Sequence, residues 1–321
     1  MKPALSIVFF TVASGTGLGV LALVGFCALL DLPWLLPETL PKVSVAGLVF
    51  TLAGLGSSTL HLANPRNAWR AFTRFRSSWL SREAVFSLML VAVALVLIAL
   101  LAVGHEGLLR QLFALLTIAL AWTVIFCTAM IYASLKPIRQ WHTRWTPAAY
   151  FVLAHWSAAL IVLGIARHDA SSTDRLADLC LVLAILAMAV KWGYWRASRD
   201  ASRATTLEQA IGVVQGVRPP RAAGGPTAMQ ARLLDAGHTG RTFLTDEFGF
   251  RLARRHRAFL LSVFWIAGIV VPLAWIVAAW RQTPVVVAVC VIALIGLIAE
   301  RWLFFADARH TVRLYHGDAR T

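Results

Sequence analysis

Long apolar runs separated by short charged punctuation dominate this chain. Between consecutive Asp, Glu, Lys or Arg residues, eight runs stand out: 3–30, 43–65, 84–105, 111–135, 145–166, 179–190, 258–280 and 282–299. A helix rises about 1.5 Å per residue and a bilayer's hydrocarbon core is about 30 Å thick, so about 20 apolar residues cross it. Seven of the runs, of 18 to 28 residues, are long enough. The sixth has 12 and is doubtful on length alone.

Composition narrows the class. The chain is 59% hydrophobic and 14% charged, with a mean hydropathy of +0.71. Soluble domains run at about 45–50% apolar and about 25% charged. A disordered tail, a collagen-like repeat and an ordinary soluble enzyme are excluded, which leaves a polytopic, all-α membrane protein. A net charge of +15 would suggest nucleic acid in a soluble domain. Here it reads as basic loops gathered on one side of a bilayer, with no nucleic-acid partner.

Charge also decides the sixth run. With eight spans, 25 of the 30 Lys and Arg residues fall on one side and five on the other. Without the sixth the split is 10 to 20. The positive-inside rule favours eight transmembrane helices with both the N and C termini cytoplasmic. The expected organisation is therefore helices 1–6 over residues 1–196, a cytoplasmic basic loop over 197–257, and helices 7–8 with a cytoplasmic tail over 258–321. Residues 3–30 are too long an apolar run for a signal peptide and form the first span. Trp141, Trp145, Trp192, Tyr194, Trp195 and Trp302 fit an interfacial aromatic belt.

Two cytoplasmic loops are unusual. Residues 64–82 read as an interfacial amphipathic helix, capped by Asn64 and opened by Pro65, with Trp69, Phe72 and Phe75 at helical spacing among Arg66, Arg70, Arg74 and Arg76. Such a segment suits membrane lipid as well as a partner. In the second, 197–257, Pro219-Pro220 and Gly224-Gly225-Pro226 mark irregular structure. Its end, Arg241–Arg257, mixes aromatics, acids and bases like a docking surface. About 60 residues are too few for an enzyme domain with a large core.

Candidate chemistry is sparse. Cys27, Cys127, Cys180 and Cys290 each lie alone in a span and read as packing residues, which leaves no ligand set for an iron–sulfur cluster. No Walker loop, nucleophile elbow or zinc-protease motif occurs, and neither a metal site nor a catalytic residue is expected in this chain. His61 and His155, the two histidines that reach membrane depth, could in principle hold a single b-type haem; the plainer reading of His155 is a hydrogen-bonded histidine between helices, and the histidines supply no set for several haems. Lys191 ends span six and Glu300-Arg301 ends span eight. They read either as snorkelling groups or as a Lys191–Glu300 pair fixing helix packing. Glu83, behind Ser81, fits a helix's first turn. His61 and Glu83 flank the 64–82 segment at one membrane face. There a histidine, with a pKa of about 6.5, could hydrogen-bond a quinone carbonyl and a glutamate could relay protons.

The stretch His61-Leu62-Ala63-Asn64-Pro65, then Ala68-Trp69, then Ser78-Trp79-Leu80-Ser81-Arg82-Glu83, resembles the dimethyl sulfoxide reductase anchor-subunit family. Trp145-Thr146-Pro147 and Glu300-Arg301-Trp302-Leu303-Phe304-Phe305 are similar to it as well. The likeness extends over essentially the whole sequence. It implies a haem-free, multi-pass subunit of the bacterial inner membrane that exchanges electrons with an exchangeable quinone. Molybdopterin and iron–sulfur clusters would lie only in partner subunits, a molybdopterin catalytic subunit and an iron–sulfur subunit. His61 and Glu83 match the positions associated with the quinone, with Arg66, Trp145, Lys191, Glu300 and Arg301 as possible supports. Arg66 stands at a usually apolar position and Asn67 at a frequently basic one, and the 197–257 loop is absent from shorter members.

The charge asymmetry puts the motif end in the cytoplasm. This resembles the membrane subunit of cytoplasm-facing sulfite dehydrogenases, in which sulfite oxidation at molybdenum in a partner feeds membrane quinone. An anchor of a dimethyl sulfoxide or related reductase, taking electrons from quinol, is the alternative. A transporter and a site-less membrane scaffold are the readings from other classes. A transporter would carry broken helices in both halves, whereas only span seven, at Pro272, holds an interrupting proline.

Overall fold

The computed structural model describes residues 3–60, 65–168, 174–201, 256–279 and 285–311. Among these residues every long element is helical. Eight helices are long and apolar enough to cross a membrane. They are α1 (Leu5–Leu29), α2 (Thr39–Thr59), α3 (Trp79–Ala102), α4 (Leu108–Ala133), α5 (Trp145–His168), α6 (Asp174–Ala201), the composite α7 (Arg257–Val263, Phe264–Val270 and Val271–Ala279) and α8 (Val286–Ala306). The sixth span is thus a helix of 28 residues. Counting from charge to charge shortened it, because Lys191 lies inside the helix and is paired there with Glu300 of α8. For the same reason α8 runs past Glu300 and Arg301 to Ala306.

α1 is the hub. Most of its length is buried, and it packs against α2, α4, α5 and α8. Its contact with α2 is backbone to backbone: a Cβ at Gly54 would come within 2.4 Å of the Ser14 nitrogen. Lipid offers no hydrophobic gain for joining helices, so small residues that allow this approach create the attraction. Polar residues inside the spans are neutralised locally. Thr11, Ser14, Thr51 and Thr117 each donate a hydroxyl proton to a carbonyl of their own helix, the usual way such residues enter apolar helices, and the Thr16 and Ser157 hydroxyls of α1 and α5 bond to each other at 2.8 Å.

α7 changes register. Its middle piece, Phe264–Val270, is π-helical, and Pro272 follows. Proline brings no N–H to the carbonyl four residues back, that of Gly268. Trp156 of α5, fully buried, supplies the missing donor: its Nε1 lies 2.9 Å from the Gly268 oxygen.

Three expectations change. Residues 64–82 are not one amphipathic helix. Pro65–Phe72 is a short 3-10 helix, turns follow, and α3 already begins at Trp79 because Ser78 caps it. Glu83 therefore sits beyond the first turn. Trp141 and Tyr194 are buried in the protein, 3% exposed each, rather than facing lipid. Trp141 Nε1 donates to the Phe304 oxygen at 2.9 Å, and Tyr194 packs on the Phe304 ring. Finally, α6 continues to Ala201, into the stretch assigned to the basic loop. The rest of that loop, 202–255, lies outside the described residues.

Candidate functional site

The site's acid comes from the start of α3. The Ser81 N–H donates to the Ser78 side chain at 3.4 Å and fixes the first turn. One turn on, Glu83 faces α4 and is 3% exposed. The Thr128 hydroxyl donates to its Oε1. The same hydroxyl lies 3.0 Å from the Val124 carbonyl. A hydroxyl has one proton, so it serves one acceptor at a time. Glu83 and Val124 therefore compete for it.

Arg82 points the other way. Its Nε donates to the Phe75 oxygen at 3.0 Å and its Nη2 to the Arg76 oxygen at 2.8 Å, while the guanidinium stacks 4.3 Å above the Trp79 ring. This ties the arginine-rich segment to the end of α3. Sequence reasoning passed over Arg82, although Trp79 and Arg82 stand one helical turn apart.

A second buried group joins α6 to α8. Lys191 Nζ pairs with Glu300 Oε1, and Arg301 Nε lies 3.2 Å from Glu300 Oε2. Lys191 and Glu300 are 1% exposed and Arg301 is 4% exposed, so none of them snorkels. Aromatic faces replace water around the cations. Lys191 lies 4.1 Å from the Tyr194 ring centre and 4.7 Å from that of Trp195, and Arg301 lies 4.0 Å from that of Tyr150. Tyr132, Trp141, Phe304 and Phe305 close the box through edge and stacked contacts. Three of the protein's four tyrosines, Tyr132, Tyr150 and Tyr194, belong to it. Scarce tyrosines at one end of three different spans were the sequence signal for this box.

The two groups are linked by the space between them. A cavity of about 20 Å³ is lined by Thr128 on one side and by Tyr150 and Arg301 on the other, with Thr11, Ser14 and Ser157 around it. The Tyr150 hydroxyl and Arg301 Nη1 are buried and have no hydrogen-bond partner. Tyr132 and Tyr150 feel the charges of both Glu83 and Arg301.

The other expected residues lie apart. His61 is outside the described residues. Arg66 is exposed on the 3-10 helix, beside the exposed Trp69 and Phe72. Trp145 opens α5 and packs flat on α6, where a Cβ at Gly193 would come within 2.6 Å of its ring. His155 has both ring nitrogens engaged: Nε2 accepts from Trp122 Nε1 at 3.1 Å, so Nδ1 carries the proton that goes to the Phe151 carbonyl at 2.8 Å. It joins α4 to α5, as expected of a packing histidine. All four cysteines are buried, and the Cys290 thiol donates to the Leu160 oxygen at 3.4 Å. Among the described residues, no group of three or more His, Cys, Asp or Glu side chains could hold a metal ion.

Comparison with known proteins agrees with this architecture. The protein is 27% identical to the C subunit of sulfite dehydrogenase from Allochromatium vinosum, across 98% of its own length and 99% of the relative. It is 28% identical to the C component of the anaerobic dimethyl sulfoxide reductase of Escherichia coli K12, across 44% of its own length and 51% of that relative. The family model of the DMSO reductase anchor subunit (DmsC) matches residues 1–306. This eight-helix membrane protein belongs to the DMSO reductase anchor subunit family.

Proposed function

We propose that this protein is the quinone-reactive membrane anchor of a molybdopterin and iron–sulfur oxidoreductase complex of the sulfite dehydrogenase type, in a bacterial inner membrane. Electrons from cytoplasmic sulfite oxidation in the catalytic partner would pass through the iron–sulfur partner to membrane quinone. Both termini and the arginine-rich face lie in the cytoplasm in this reading, as the distribution of basic residues favours. Similarity to the sulfite dehydrogenase subunit along nearly the whole length supports the subtype. The reductase reading, with electrons taken from quinol, draws on the family model over 1–306 but on the reductase relative over less than half of the length.

One observation carries the quinone assignment. Glu83, an acid, is buried near the start of α3, and the Thr128 hydroxyl that holds it has a second acceptor in the Val124 carbonyl. A charged group in apolar surroundings is costly without a reason, and a site-less scaffold has none for it. A bound quinone would supply two-electron, two-proton redox chemistry. Glu83 would deliver a proton to it, and His61 would hydrogen-bond a carbonyl of the ring. Lys191, Glu300 and Arg301 would fix the electrostatics behind Glu83, and Trp145 would hold α5 against α6. Arg66, Arg70, Arg74 and Arg76, set among exposed Trp69, Phe72 and Phe75, would meet the iron–sulfur partner.

Purification in mild detergent tests the class: a molybdopterin subunit and an iron–sulfur subunit should copurify. In that complex Glu83→Gln should lower sulfite-driven quinone reduction by about a hundredfold, the scale of one positioned acid. Sulfite should still reduce the partner clusters. An unchanged rate of quinone reduction would remove Glu83 from the site.

A further inference from the structure

The cavity between Thr128 and Arg301 has a chemistry of its own. At about 20 Å³ it has room for one water and none for a ring. Its polar lining is sorted by role. Thr11 and Ser14 have given their protons to the Val8 and Phe10 carbonyls at 3.0 and 2.6 Å, and the Ser157 hydroxyl is spent between Thr16 Oγ1 at 2.8 Å and the Leu153 carbonyl at 3.0 Å. What remains on those oxygens is lone pairs, which accept. The two unspent groups, Tyr150 O–H and Arg301 Nη1–H, donate. Chloride only accepts, and would bring its charge against those lone pairs. Water takes two hydrogen bonds and gives two, so it alone satisfies both halves of this lining.

We propose that this cavity is a water site whose occupant returns protons to Glu83 through the Thr128 hydroxyl, with Arg301 and Tyr150 holding the water by its lone pairs. The steps balance as proton hops alone. Glu83, having given up its proton at the membrane face, takes the proton of Thr128. Thr128 takes one from the water. The hydroxide left behind is stabilised by Arg301 Nη1 and Tyr150 until a proton from the adjoining aqueous face restores it. Lys191 and Arg301 outweigh Glu300 by one positive charge, which favours that transient anion. With Glu83 protonated again, the Thr128 proton turns to Val124. The relay rests on the reading of Glu83 as proton donor, whereas the water site stands on the geometry alone.

The test uses the intact complex and its quinone-linked turnover in H₂O and D₂O. Thr128→Val keeps the shape and removes the hydroxyl. It should slow turnover about tenfold, the worth of one charge-assisted hydrogen bond, and raise the solvent isotope effect. Thr128→Ser should restore both. Tyr150→Phe keeps the ring under Arg301 and should slow turnover in the same isotope-sensitive way. A high-resolution density map of the unmodified complex should show one water within hydrogen-bond distance of Arg301 Nη1 and the Tyr150 oxygen. Wild-type rates and isotope effects in both Thr128→Val and Tyr150→Phe would overturn the relay, and a dry cavity or a bound halide would overturn the water site. Glu83→Gln separates the two levels. If it is slow while Thr128→Val and Tyr150→Phe run normally, only the relay fails. If it too runs normally, the assignment of Glu83 to the quinone site fails with it.

Discussion

Lys191 of α6 and Glu300 of α8 form an ion pair in which each side chain is 1% exposed. Glu300 serves two cations, since Arg301 Nε also approaches it at 3.2 Å. The two partners are therefore not equivalent. Without Lys191, the carboxylate keeps Arg301. Without the carboxylate, two buried cations face each other.

That asymmetry predicts unequal losses. Glu300→Gln should destabilise by about 3–5 kcal/mol, the cost of orphaning buried charge. Lys191→Met should cost about 1–3 kcal/mol, the scale of a lost charged hydrogen bond. Thermal inactivation in one detergent at one scan rate gives the order. Equal losses, or a larger one for Lys191→Met, would show that Arg301 is not held by Glu300.

A second prediction concerns α7. Trp156→Phe keeps an aromatic ring against the π-helical segment but withdraws the indole N–H that reaches the Gly268 oxygen. A buried carbonyl left unsatisfied costs about 1–3 kcal/mol. Pro272→Ala restores an N–H four residues beyond Gly268, so in the double variant part of that loss should return. Strict additivity of the two losses in thermal inactivation would refute the compensation.

The architecture was legible because spans are written as composition. The bilayer forces apolar length and self-satisfied backbone, and both can be counted along the sequence. The places where counting slipped are the places where side chains meet across helices. Lys191 and Glu300 looked like helix ends because each bounds an apolar run, and the sequence left a pair between them as one of two readings, which only their burial against each other separates from snorkelling. Thr128 was invisible as a site residue for the same reason: one threonine in an apolar helix signals nothing until α3 brings Glu83 to it. Trp141 looked lipid-facing by position, but it is buried and its N–H is spent on the Phe304 carbonyl in the last turn of α8.

Trp145 and Gly193 give a third prediction. A methyl group on Gly193 would meet Trp145 ring atoms at 2.6–2.8 Å, and an indole pinned between two helices has little room to retreat. Gly193→Ala should therefore cost about 1–3 kcal/mol, as overpacking does. Trp145→Phe, which withdraws the outer ring, should make Gly193→Ala far milder. Thermal inactivation of the four combinations measures the coupling, and an unchanged cost of Gly193→Ala in the Trp145→Phe background would refute the contact.

Orientation is the last prediction, and the buried cysteines make it measurable. Cys27, Cys127, Cys180 and Cys290 are all free and buried, so a membrane-impermeant maleimide should find little background in the folded protein. Ser77 and Glu106 are exposed and lie at opposite ends of α3. By the positive-inside rule, the 25-to-5 distribution of basic residues predicts Ser77 in the cytoplasm and Glu106 outside. Ser77→Cys should label in inside-out vesicles and not in intact spheroplasts, and Glu106→Cys should do the reverse. The opposite pattern would put the arginine-rich face and Glu83 toward the periplasm. Sulfite oxidised in the cytoplasm could then no longer reach the site through partners docked on that face, and the reductase reading would take its place.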